Sequence, residues 1–195
     1  MQSHREATFD AIGLMNARFA PDLAVPVSDG DHSMGPSGAP VTVVEYGDFE
    51  CPICKLAFPA VKLLLQRFGS DIRFTYRHFP LEQAHPHALI AAEAAESAGA
   101  QGKFWEMHDQ LFENQPRLEL SFLHEYARRI QLDVPQFEAD LSDHAHVTLI
   151  RAHIESGIRS NVRATPGFFV NGRVVDVSFG MRALFDAVEA ALRSR

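Results

Sequence analysis

Cys51 and Cys54, in the run Cys51-Pro52-Ile53-Cys54, are the only cysteines in a chain of 195 residues. Thiols at that spacing can close a small disulfide ring and reopen it, the minimum equipment for thiol-disulfide exchange. A strand pattern ends just before them and a helical pattern starts just after, which would put Cys51 at a helix N-terminus. Unpaired backbone N–H groups and the positive end of the helix dipole favour a thiolate there, lowering its pKa below the free value of about 8.5. Cys51 is then the expected nucleophile. Cys54, one turn into the helix and more buried, is the expected resolving thiol. Glu50 opposes the thiolate by like-charge repulsion, and the Ile53 side chain offers neither a hydrogen bond nor a positive charge. Only moderate thiolate stabilisation is therefore expected, with a reduction potential that is not extremely oxidising.

Metal binding is a competing use for such a pair. Zinc commonly takes four ligands, so Cys51 and Cys54 would need two histidines or a second subunit. His85-Pro86-His87 and His144-Ala145-His146 are the visible candidates, with no further cysteine to support them. No metal is expected, and no cofactor beyond a redox-active Cys51–Cys54 disulfide. His108 and His153 read as surface or satisfied helix positions. A peroxide-reducing site fits poorly, because no Thr precedes Cys51 at the spacing such a site needs.

The elements that must hold the pair follow from periodicity. Residues 41–46, rich in β-branched side chains and bounded by Pro40 and Gly47, form a buried strand. Glu45 is anomalous there: either its side chain reaches the surface or it has a task. A helix runs from the cysteines to Phe68, with Leu56, Ala60, Leu63, Leu64 and Phe68 as its buried face. Pro52 suits its first turn, and Pro59 should kink it. Residues 72–79 alternate as a second strand, so the connection is a right-handed crossover between parallel strands. Helical patterns at 87–99, 103–114, 121–130, 135–141 and 145–159 make an inserted helical subdomain, about 85–161. Strands at 167–170 and 174–177 flank Asn171-Gly172, a hairpin signal, and a last helix spans 181–192. Phe9, Ile12, Met15 and Phe19 suggest a short helix at 8–19. Residues 21–40, rich in Pro and Gly, read as an extended linker, so the chain divides into 1–39 and a domain at 40–195.

An apolar fraction of 46% supports a substantial core, and a formal charge of −7 without a basic run excludes nucleic acid as a partner. Residues 1–20 mix charged with apolar side chains, so neither a secretory signal nor a membrane span is read there. The expected location is cytoplasmic, or periplasmic if a signal has been removed. A reducing compartment suits a reactive pair better than a structural disulfide.

Over residues 40–195 the order of strand, C-P-x-C at a helix start, strand, helical insertion, Thr-Pro, hairpin and helix resembles the thioredoxin superfamily, specifically its DsbA-like branch. The resemblance implies an α/β thioredoxin-like fold, a central mixed sheet flanked by helices. It also implies that Glu45, six residues before Cys51, exchanges a proton with Cys54. Pro59 stands where the family kinks its active-site helix. Ala164-Thr165-Pro166 is similar to the loop whose proline is cis beside the cysteines, which implies that Thr165 and Pro166 bind substrate through the Thr165 backbone. Pro-Ile between the cysteines is neither the Gly-Pro of thioredoxin nor the Pro-His of strongly oxidising relatives. The expected activity is thiol-disulfide oxidoreduction of protein or peptide substrates with an unidentified thiol redox partner, as a reductase more than an oxidase. A non-catalytic binding or chaperone-like domain is the alternative, and metal binding by the cysteines the third.

Overall fold

The computed structural model describes residues 22–194; the helix expected at 8–19 lies outside the described residues. Chain order is β1 (His32–Met34), β2 (Val41–Gly47), α1 (Pro52–Phe68), β3 (Ile72–His78), α2 (Ala88–Ala100), α3 (Phe104–Glu113), α4 (Leu120–Arg129), α5 (Val134–Ser142), α6 (Val147–Arg159), β4 (Gly167–Val170), β5 (Arg173–Val175) and α7 (Arg182–Arg193). The strands form one mixed sheet in the order β1-β3-β2-β4-β5. β2 and β3 are parallel, from Val41 opposite Ile72 to Gly47 opposite His78, and the other three pairings are antiparallel. This is the thioredoxin-like arrangement expected from the order of motifs.

β2 is buried on both faces, which accounts for its nearly unbroken apolar run. Val41 and Val43 join the larger core with Cys51, Cys54, Tyr76 and the helices, while Val44 and Tyr46 pack with Leu23, Phe79, Val162 and Phe169 on the other side. Five helices, α2 to α6, lie between β3 and β4. Asn171 and Gly172 both have positive φ, 46° and 76°, the conformation a tight Asn-Gly hairpin requires. β5 is shorter than the strand expected at 174–177.

Two expectations need correction. Residues 22–39 are not a free linker. β1 pairs with β3, Leu23 is buried, and its N–H donates to the Gly172 carbonyl at 3.0 Å. Composition registered the turns in this stretch but not what they wrap. They deliver Asp31 and the Val25 and Pro26 carbonyls to Arg77, whose five N–H donors all find acceptors at 2.7–3.0 Å, the fifth being the Tyr46 hydroxyl oxygen. The buried face of α1 is also rotated from the one expected. Cys54, Ala57, Val61 and Leu64 point inward, while Leu56 and Leu63 are 69% and 58% exposed. Apolar residues surround this helix, so periodicity alone could not fix its phase.

Candidate active site

Cys51 occupies the N-cap of α1 with extended backbone angles, and Pro52 opens the helix. Its N–H donates to the Asp48 carbonyl at 3.2 Å, and its own carbonyl accepts from the Lys55 N–H at 3.1 Å, so the turn is fixed on both sides of the sulfur. Cys51 Sγ donates to the Thr165 carbonyl at 3.4 Å. The two thiols are free. Cys51 retains 5% exposure and Cys54 none. The Cys54 thiol, as a hydrogen-bond donor, draws the Cys51 pKa down to about 5 against an opposing push from burial; the Thr165 side chain and the N–H groups of Cys54 and Ile53 add to the drop. Burial, then the Cys51 sulfur and the Glu45 carboxyl, push the Cys54 thiol up. Neighbouring thiols are thus driven apart in acidity, the arrangement that assigns two like groups to different roles.

Glu45 does not reach the surface. It is 3% exposed, and burial, with the negative charge of Cys51, raises its pKa to about 8. In the sheet it stands opposite Tyr76 on β3 and Phe168 on β4. Among the described residues the Tyr76 hydroxyl, which is buried, has no hydrogen-bond partner. Thr165 and Pro166, contributed by the loop before β4, are joined by a cis peptide bond. A cavity of about 290 Å³ adjoins the turn, lined by Glu50, His87, Gln115, Pro116, Leu118 and Glu119.

Several polar residues that the sequence reading passed over hold the turn. Asp48 is buried and accepts from the Glu50 and Leu81 N–H groups at 2.8 and 2.9 Å and pairs with His85 Nδ1 at 2.7 Å. Burial works against charge on His85, but Asp48, then Cys51 and Glu50, raise its pKa overall. Gln115, from the loop between α3 and α4, donates its amide to the Phe49 and Cys51 carbonyls at 2.7 and 2.8 Å. Lys55 donates to the Phe112 carbonyl. Glu50 is engaged by His87, through its N–H at 2.6 Å and its Nδ1 at 3.0 Å. Ile53 contributes through its backbone what its side chain lacks. A glutamine in a loop carries no sequence signal of such a role.

The histidine pairs considered as metal ligands are each tied to a carboxylate: His85 to Asp48, His87 to Glu50, His144 to Glu93 and His146 to Asp140. A different group, His78, Glu96 and His153, from β3, α2 and α6, brings ligand-type atoms within 4.8 Å of one another. Its lone pairs are largely committed. His78 Nε2 meets Glu96 Oε1 at 2.7 Å, His32 Nε2 meets Oε2 at 2.9 Å, and His153 Nδ1 accepts the His78 N–H at 3.3 Å. Burial and the nearby His78 charge lower the His153 pKa to about 4. His153 and His108 are both buried and hydrogen-bonded on their helices, the satisfied helix positions of the expectation rather than surface ones. Each of the three residues is hydrogen-bonded within the fold, and the buried His78 Nδ1 is the atom of the cluster without a partner among the described residues.

Residues 27–190 match the family described as thioredoxin. The chain is 50% identical over 171 residues to a curated protein of Salinispora arenicola named Na(+)/H(+) antiporter NhaA 1, covering 87% of this chain and 26% of that protein. It spans about a quarter of the length of the curated relatives it matches. Among solved structures it is similar to oxidised BdbD from Bacillus subtilis, with a TM-score of 0.79 at 24% identity over 86% of this chain and 96% of that one. It is also similar to a thioredoxin-like oxidoreductase from Silicibacter pomeroyi, with a TM-score of 0.72 at 27% identity over 85% and 94%. Among the described residues no helix is long and apolar enough to cross a membrane.

Proposed function

The chain belongs to the thioredoxin family, and from that premise we propose that it exchanges disulfides with thiol-bearing protein or peptide substrates through Cys51 and Cys54. The observation that carries this reading is the opposite environment of the two sulfurs: one at a helix N-cap with donors directed at it, the other fully buried beside an acid. A substrate thiolate attacks Cys51 Sγ of the disulfide. The S–S bond breaks, and its electron pair leaves on Cys54. Glu45, held protonated by burial, gives its proton to that sulfur. A second substrate thiolate then attacks the substrate sulfur of the mixed disulfide, and Cys51 leaves as the stabilised thiolate. Two substrate thiols are oxidised to a disulfide and the enzyme pair is reduced. The reverse sequence reduces a substrate disulfide.

The low pKa of Cys51 bears on direction. Stabilising the thiolate stabilises the reduced pair and makes its disulfide the more oxidising. A value of about 5 lies between those of thioredoxin, about 7, and DsbA, about 3.5. This supports disulfide donation over the reductase role expected from sequence. Equilibration with glutathione should give a potential between about −270 and about −120 mV. The Thr165 backbone, beside Cys51, is the proposed partner for an extended substrate segment, with Pro166 next to it. A thiol or disulfide redox partner must recycle the pair. The antiporter name belongs to proteins of which this chain spans 26%, and no ion transport is assigned to it.

A Cys51→Ser variant should lose disulfide transfer to a reduced model protein by at least about a hundredfold, on the order of the loss of a nucleophile's contribution. Undiminished transfer by that variant would overturn the assignment.

A further inference from the structure

Tyr76 fills a place where a phenylalanine would suffice for packing. Its ring stacks on Phe49 at 5.2 Å and meets Phe112 and Phe104 at 6.3 and 6.1 Å. Yet it carries a hydroxyl that is fully buried and has no hydrogen-bond partner among the described residues. Burying an unpaired hydroxyl costs stability, so the group needs a reason to be there. Gly47 leaves room for the ring and its hydroxyl together. A Cβ at that strand position would lie 2.5–2.8 Å from the outer edge of the ring and the hydroxyl oxygen. The register places Tyr76 opposite Glu45, and Tyr76, Cys51 and Cys54 belong to one core cluster.

The surroundings of the hydroxyl are negative. Its pKa is pushed up by burial first and then by charge on Cys54, Glu45, Asp48 and Cys51. These come from α1, from β2 and from the loop between them. From β3 and α3 the ring faces His78 and His108, at 5.5 and 5.0 Å. Burial lowers the His108 pKa, which favours its neutral form. His78 Nε2 is held by Glu96. Asp48 is bound to His85 and two backbone N–H groups. The proton of the Tyr76 hydroxyl is thus an uncommitted donor among groups whose total charge grows when Cys54 or Glu45 ionises.

We propose that Tyr76 is a positioning residue for the buried half of the exchange, its hydroxyl donating to the negative charge shared by Cys54 and Glu45 while the proton passes between them. In the direction that forms the enzyme disulfide, Cys54 Sγ loses its proton to the Glu45 carboxylate and attacks Cys51 Sγ of the mixed disulfide. The bond from Cys51 to the substrate sulfur breaks, and the electron pair leaves on that sulfur. Tyr76 loses and gains no proton overall. It stabilises the anion on either side of the transfer.

The inference rests on the exchange reading above, and one experiment separates the two. Reduced protein is mixed in a stopped-flow instrument with 5,5′-dithiobis(2-nitrobenzoate), which reacts in two phases. Attack by Cys51 releases one thionitrobenzoate, and resolution by Cys54 releases a second as the enzyme disulfide closes. In Tyr76→Phe the pH midpoint of the second phase should rise by about one unit or more, the effect of losing one hydrogen bond to an ionised group. The midpoint of the first phase should stay in place. A purely structural tyrosine predicts the opposite pattern, a more stable Tyr76→Phe protein with both midpoints unmoved, and that result overturns the proposal. Should the variant fold poorly, replacement of tyrosine by 3-fluorotyrosine supplies a stronger donor and should lower the second midpoint. Tyr46 and Tyr126 do not confound this, since their hydroxyls are bonded to Ser156 and Arg77 and to the Arg117 carbonyl. An unmoved midpoint there also overturns it. A wild-type protein that releases no second equivalent refutes the exchange reading itself.

Discussion

Glu45 and Glu96 are both buried glutamates, 3% and 4% exposed, and they have opposite fates. Glu96 is gripped by two imidazoles, His32 and His78, which hold its carboxyl well below the usual range despite burial. Glu45 lies between Tyr76 and Phe168 in the sheet, and burial, with the negative charge of Cys51, raises its pKa to about 8. The same contrast holds between consecutive residues of β3, where every donor of Arg77 is satisfied and the Tyr76 hydroxyl has no partner among the described residues. Where buried charge is fully paired, the fold is being secured. Where it is left unpaired, a proton is available to move.

Asp31→Ala offers the largest test on the paired side. It leaves the buried Arg77 guanidinium without its carboxylate, a loss that typically costs about 3–5 kcal/mol. Urea unfolding should show it. A drop below about 1 kcal/mol would remove the distinction drawn here.

The two glutamates should differ in the pH dependence of stability. Glu45 keeps its proton in the folded chain while the unfolded chain releases it, between the ordinary value of 4.5 and about 8. Folding stability should therefore fall with rising pH across that window, at about 1.4 kcal/mol per unit from this group. Glu45→Gln should flatten that slope and slow exchange. For Glu96 the sign reverses. Its contribution is present above 4.5 and is lost as pH falls below it, so Glu96→Gln should reduce the acid sensitivity instead. Unfolding curves from pH 3 to 9 read both slopes, and identical changes in the two variants would break the comparison.

A smaller effect is expected at Gln115, which is polar and paired but holds the cysteine turn. Gln115→Ala leaves two carbonyls without their amide donor and should cost about 1–2 kcal/mol in chemical unfolding. Exchange should slow as well. A stability loss with exchange unaltered would place Gln115 with the structural residues.

The cysteine pair, the flanking strands and the Asn-Gly hairpin were legible in the sequence because each is set by local spacing or by a short run of backbone preference. The rotation of α1 was not, because Leu56 and Leu63 mimic core positions on a helix with apolar residues all round. The packing of residues 22–39 was hidden for another reason. Arg77 and Asp31 are 46 positions apart, and nothing local marks them as partners. Gln115 and Tyr76 were missed in the same way: their significance lies in which carbonyls or charges another element brings beside them.

The contact between Cys51 and Thr165 spans 114 residues. A chain in which β4 has not yet reached β2 lacks the Thr165 contribution to the thiolate, and an unfolded one has two ordinary thiols. The Thr165 share of the thiolate's stabilisation is therefore in place only once β4 has paired with β2, whereas the larger share, from Cys54 and the Ile53 N–H, belongs to the first turn of α1 itself.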